Sequence, residues 1–206
     1  MEILIEQVES RHDRAVMRRI RKQVFEVEMG IALSRLEQAE DAPSLSLLAI
    51  SEPEGKAVAT LHVIETTADE ALHQRYGLAF DAASRVARFT YLAVLKPYRG
   101  LHIPLMLMLE AHRRFVATDH FDFTWLLFEA ERAESSFLCR HLAFTPSPDV
   151  VRAEYGPCRT LIRDECAPHS EAALQQARAY LAGLMEGRYP GHQASALQPP
   201  PLFTAS

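Results

Sequence analysis

Apolar and polar residues alternate over residues 2–8, EILIEQV, and this period of two predicts a strand with one buried face. From Ser10 the period becomes helical. Ala15, Ile20, Val24, Phe25 and Val27 recur at helical spacing to about Glu28, with Ser10 placed to cap the start and Gly30 to stop the end. The runs LSLLAIS and KAVATLHVIE flank Glu52-Pro53-Glu54-Gly55, which is the composition of a hairpin. Residues 67–86 read as a helical or irregular insertion. A strand from about Val86 to Leu95 then passes through Lys96-Pro97-Tyr98-Arg99-Gly100 into a helix from about Leu101 to Ala117. FDFTWLLFE predicts a buried strand, RAESSFLCRHL a short helix, and VVRAEY with CRTLIRD a closing pair of strands around Gly156-Pro157. Residues 170–187 predict a last amphipathic helix opening at Ser170-Glu171, with Leu174, Ala177, Leu181 and Leu184 on one stripe. The order β-α-β-β-(insert)-β-α-β-α-β-β-α places the chain in the α/β class, as a mixed sheet with helices on its faces.

Composition narrows this picture. With 206 residues, 48% of them hydrophobic and 24% charged, the chain can bury one substantial core. One domain is therefore expected over residues 1–187, and the proline-rich stretch 188–206 is expected to be a disordered tail. A net charge of -5 argues against general attraction to nucleic acid or to an anionic membrane, although local basic clusters can hold a small anion. Cys139, Cys158 and Cys166 are odd in number and lack metal-ligand spacing, so neither a disulfide framework nor a metal site is expected. No apolar run reaches the roughly 18 residues of a membrane span, and the acidic start MEILIEQVES lacks a basic leader region. A reduced, cytoplasmic setting is the expectation.

The order strand, basic turn, helix over RFTYLAVLKPYRGLHIPLMLMLEAHRRF aims unpaired N–H groups at something negative. YLAVLKPYRGLHIP resembles the strand-turn-helix signature of the GNAT acyltransferase superfamily. IRKQVFEVEMGI is similar to that family's first-helix pattern and SSFLCRHLAF to its later helix, and together the likeness covers about residues 1–165.

The resemblance implies a mostly antiparallel sheet and an acetyl-CoA or other acyl-CoA cosubstrate, with its diphosphate held by backbone N–H groups of Arg99, Gly100, Leu101, His102 and Ile103. It implies a strand around Leu92-Ala93-Val94 that separates from its neighbour, with N–H groups near Val94 polarising the thioester carbonyl. The family pattern wants glycine at the positions of His102 and Pro104. Here His102 adds bulk and Pro104 removes a donor.

The tyrosine that often protonates the leaving thiolate falls on Cys139, and the glycine of the family's Gly-Phe falls on Ala143. A buried apolar cysteine is the plainer reading of Cys139. Glu28, Glu65 and Glu129 are candidate bases with solvated or ion-paired alternatives, and His62 reads as structural. In the basic helix, Arg18, Arg19 and Lys22 fit a solvated face, while Arg21 and Phe25 match the family's substrate-side positions.

Three readings follow. The first is transfer of an acetyl or other acyl group from coenzyme A to a small-molecule amine. The second is long-chain N-acyl transfer from an acyl carrier protein, as in acyl-homoserine-lactone and N-acyl amino acid synthases, docked on a local basic face of Arg18, Arg19, Lys96, Arg99, Arg113 and Arg114. The third is a GNAT-shaped binding protein without catalysis. Either a monomer or a homodimer fits, since the last helix can cover its own sheet or pair with a second chain.

Overall fold

The architecture is seen in a computed structural model that describes residues 2–36, 42–67 and 74–185. Strand β1 spans Ile3–Gln7, and helix α1, Arg11–Arg21, follows it. Ser10 starts α1 as its pattern predicts: its hydroxyl accepts the Asp13 N–H at 3.0 Å, and the Asp13 carboxylate accepts the Ser10 N–H at 2.9 Å. A reciprocal cap of this kind contributes about 1 kcal/mol. The helix then widens into a π-helical stretch, Lys22–Glu28, before the left-handed stop at Gly30, where φ is +69°.

A short helix α2, Leu33–Leu36, leads to the hairpin of β2, Ser44–Ser51, and β3, Lys56–Thr66. After the insertion come β4, Val86–Val94, and α3, Ile103–Ala111, which continues as a wider turn over His112–Val116. Next are β5, Phe123–Glu129, and α4, Phe137–Leu142. The described chain closes with β6, Thr145–Ala153, β7, Gly156–Asp164, and α5, Pro168–Met185.

Among the described residues seven strands form one sheet in the order β1-β2-β3-β4-β5-β7-β6. The pair β4–β5 is parallel and the other pairs are antiparallel. Period-two alternation divides its sides. Leu45, Leu47, Ala59, Leu61, Val63 and Phe89 pack with α3 and α5 on one face, while Leu48 and Ala93 meet Met17 and Ile20 of α1 and Val24 of the π-helical stretch on the other. A third cluster of Tyr76, Leu78, Val86 and Trp125 covers the β5 end. On α5, Leu174 and Ala177 are buried in the main core, so its apolar stripe is used within the chain.

Several boundaries differ from the sequence expectation for definite reasons. The last hairpin turns at Glu154-Tyr155, and Gly156-Pro157 belong to β7. β6 begins at Thr145, ahead of the Val150 that opens VVRAEY, because an edge strand tolerates prolines, and its register slips between Pro146 and Val150. Helix α5 opens at Pro168, a residue preset for a first turn. Ser170 is not its cap; the hydroxyl is buried and donates to the Asp164 carbonyl. Of the insertion, 74–76 form a helical turn, while 68–73 and the tail 188–206 lie outside the described residues. No helix among the described residues is long and apolar enough to cross a membrane.

Candidate active site

The two central strands part. β4 pairs with β5 only through Val86↔Phe123, Ala87↔Thr124 and Arg88↔Trp125, after which β5 continues along β7. A bulge drives β4 away: the β3–β4 register shifts between Thr60 and His62, and Tyr91 adopts φ +51°. Past the bulge the Leu95 N–H donates to the Val58 carbonyl of β3 at 2.9 Å. Alternation then turns the N–H groups of Leu92 and Val94 the opposite way, into the gap that β5 has vacated. The opening expected near Val94 is present and begins earlier, just past Arg88.

The turn after β4 is a 3₁₀ turn, Lys96–Tyr98, in which the Arg99 N–H donates to the Lys96 carbonyl at 3.4 Å. Arg99 is thereby withdrawn from the predicted set of anion donors. Gly100 at φ +86° and His102 at φ +58° then swing the chain into α3. The left-handed backbone at His102 explains why a glycine suits the position, and histidine is among the residues that tolerate it. Among the described residues no backbone carbonyl accepts the N–H of Gly100, Leu101, Ile103 or Leu105. These donors and the positive end of the α3 dipole point the same way, an arrangement that suits an anion. The His102 ring leans on Tyr180 of α5 at 5.6 Å, and Tyr180 stacks on His141 at 5.3 Å. Burial, followed by Arg140, lowers the His141 pKa.

Other candidates are committed elsewhere. The Arg99 side chain donates to the Val94 carbonyl at 2.9 Å and forms an ion pair with Glu28, so that the predicted base and the predicted phosphate ligand neutralise one another at the end of β4. Glu65 pairs with Arg85 at 3.0 Å. Cys139 lies in the first turn of α4, half-buried against the main core, and its thiol donates to the Ala133 carbonyl at 3.1 Å. That geometry favours the structural reading of the thiol. In the predicted basic face, Arg113 and Arg114 share Glu110 and Arg99 pairs with Glu28, while Arg18, Arg19 and Lys96 are exposed.

Arg21 and Phe25, one helical turn apart, meet at the bulge. The Arg21 guanidinium carbon sits 4.3 Å from the centroid of the Tyr91 ring, and Phe25 meets that ring edge-on at 6.4 Å. Arg21 is 2% exposed, unlike its helical neighbours Arg18, Arg19 and Lys22. His62 lies 5.9 Å from Tyr91 with its Nδ1 2.8 Å from the Ser46 hydroxyl. Burial, then the charge of Arg21, lowers the His62 pKa to about 4.

The sequence reading missed a second group at the parting point, Arg88 with Tyr76, Trp125 and Tyr155. These residues come from the insertion, β4, β5 and the β6–β7 turn. The available signal was an arginine inside an otherwise apolar strand and a lone tryptophan in another.

A sheet parted beside an open helix N-terminus defines the class of fold, that of the GNAT acyltransferase superfamily. Solved structures agree. The chain is similar to FeeM, an N-acyl amino acid synthase from uncultured soil microbes, at 13% identity over 89% of this chain and 98% of that one, with a TM-score of 0.61. It is similar to an acyl-CoA N-acyltransferase from Pseudomonas aeruginosa at 15% identity, covering 79% and 98% with a TM-score of 0.57. An acetyltransferase of the GNAT family from Staphylococcus aureus matches at 15% identity, covering 79% and 99% with a TM-score of 0.54. No family model matches the sequence, and no curated protein matches it.

Proposed function

We propose that the chain is an N-acyltransferase that moves an acetyl or other short acyl group from a coenzyme A thioester to the amine of a small molecule. The observation that carries this reading is the gap between β4 and β5, into which the Leu92 and Val94 N–H groups point, next to the unbonded amides of the turn. In this reading Gly100, Leu101, Ile103 and Leu105 hold the diphosphate, and the pantetheine arm lies along β4 as a substitute for the missing strand. The Leu92 or Val94 N–H donates to the thioester carbonyl and to the oxyanion formed when the amine attacks, a term on the order of 3 kcal/mol per donor. The new C–N bond forms and the C–S bond breaks. The nitrogen's proton passes to water in the opening, since the Glu28 carboxylate is taken by Arg99 and the Cys139 thiol by Ala133.

Coenzyme A at a hundredfold excess over its dissociation constant is expected to stabilise the native state by about 2.7 kcal/mol, read as a rise in Tm. No rise at millimolar ligand sinks this reading. Gly100→Val puts a β-branched residue at φ +86° and is expected to weaken coenzyme A binding about tenfold or more while the chain still folds. Unchanged affinity would remove the turn from the donor site.

A second reading, acyl transfer from a carrier protein, is favoured by one observation: Tyr180 and the His102 ring crowd the turn, which suits a single phosphodiester better than a nucleotide diphosphate. His102→Gly separates the two. If coenzyme A is the donor, removing the ring tightens its binding severalfold, measured by calorimetry. If a carrier protein is, acyl carrier protein raises the Tm of the unaltered chain while coenzyme A does so only in the glycine variant.

A further inference from the structure

Arg88 is the last β4 residue in register with β5, opposite Trp125, and stands where the strands part. Its guanidinium carbon lies 4.8 Å from the centroid of the Trp125 ring and 5.5 Å from that of Tyr76. The two rings themselves meet at 5.1 Å. Tyr155 lies within reach of its charge: burial, then Cys158, raises the phenol pKa, and Arg88 opposes that rise.

The charge of Arg88 is held without an anion. Arg85, Arg99, Arg113, Arg114 and Arg163 each pair with a carboxylate, whereas no ion pair is formed by Arg88 among the described residues. Its Nε is buried with no hydrogen-bond partner. Aromatic faces attract the flat side of a guanidinium but leave its in-plane N–H donors unsatisfied. Arg88 is half-buried with that one donor sealed from water, and a buried donor left unmatched is costly, so the group fits an arriving partner. The edge of a guanidinium fits a carboxylate through two parallel hydrogen bonds.

Position gives the carboxylate a role. Leu92, the first residue past the bulge whose N–H faces the gap, is four positions along the same strand, on the order of 10 Å away. The reach of an arginine side chain plus the body of a small amino acid spans that distance. The geometry points to Arg88 as the anchor for the acceptor's carboxylate, which makes the acceptors amino acids, held by the acid group so that the amine meets the acyl carbon near Leu92. The chemistry rests on the acyltransferase reading above; the carboxylate site does not.

Trp125 is the sole tryptophan of the chain and touches Arg88, so its fluorescence reports the site without any turnover. The full chain is titrated with a panel of non-aromatic L-amino acids and with their carboxamides. A saturable fluorescence change with at least one free acid, at least tenfold weaker with the matching amide and lost in Arg88→Gln, is the expected result. No saturable change with any acid, equal response to the amide, or a change retained in Arg88→Gln overturns the site. In acyl-transfer assays Arg88→Gln is expected to lower kcat/KM for the acid about a hundredfold and for the amide less than threefold; an equal fall for both also overturns it. Failure of coenzyme A and of an acylated carrier protein to bind would overturn acyl transfer while leaving the fluorescence result to decide the carboxylate site.

Discussion

Glu165→Gln is expected to destabilise the fold by about 3–5 kcal/mol, the usual cost of removing one partner from a buried ion pair. Glu165 follows β7 and accepts from Arg163 at 2.8 Å, with the two side chains 6% and 3% exposed. The same carboxylate lies 3.1 Å from His112 Nε2, in the wider turn that ends α3, and accepts the Thr124 hydroxyl of β5 at 2.6 Å. One side chain therefore fastens the far end of the signature helix to β5 and β7. Burial already pulls the Arg163 pKa below its ordinary value while Glu165 opposes it, so the amide variant leaves a charge in the core with nothing to balance it. Against a typical stability of about 5–15 kcal/mol, that is roughly a fifth of the total or more. Urea denaturation gives the measurement. A loss under about 1 kcal/mol would show that water replaces the carboxylate, and the cluster would then not be a structural anchor. Arg163→Met combined with Glu165→Leu is expected to recover most of the loss, because the penalty comes from the unmatched charge and not from missing volume.

This cluster shows which parts of the fold were legible in the sequence. Elements were, because local period and punctuation decide them: Ser10 with Asp13 made the cap that its spacing promised, and Glu52-Pro53-Glu54-Gly55 made the turn. The parted strands were legible only through resemblance, since the bulge at Tyr91 depends on how β3 meets β4 and leaves no mark in an ordinary-looking FTYLAV. Side-chain roles were least legible where the partner is distant in the chain. Arg99 reads as a backbone donor to phosphate until its N–H closes the turn on the Lys96 carbonyl, while Glu28, 71 residues earlier, takes its guanidinium. Arg88 looked like one polar residue in a strand, because the rings of Tyr76 and Trp125 meet it only after the sheet has formed. Arg21 was singled out through resemblance alone, and the fold brings it with Phe25, one helical turn on, against Tyr91 at the bulge.

Stability is also expected to fall on the order of 3 kcal/mol as pH drops from 6.5 towards 4, on account of His62 alone. The imidazole is 1% exposed, and burial with the neighbouring Arg21 moves its pKa from 6.5 to about 4. Above pH 6.5 the ring is neutral in both the folded and the unfolded chain, so the full stability is present. Between the two values the unfolded chain binds a proton that the folded chain refuses, and stability rises with pH across that window. Below about 4 both states are protonated and this contribution is flat. His62→Gln, which keeps a polar group beside the Ser46 hydroxyl, is expected to flatten the slope of Tm against pH in that interval. A slope unchanged in the variant would mean that another group carries the titration. The consequence for the site is specific. A proton on His62 places a second cation beside Arg21 and against Tyr91, the residue whose φ of +51° bends β4. Acid should therefore loosen the bulge before the rest of the sheet, and amide exchange of Leu92 and Val94 should quicken ahead of global unfolding in the parent chain and not in His62→Gln.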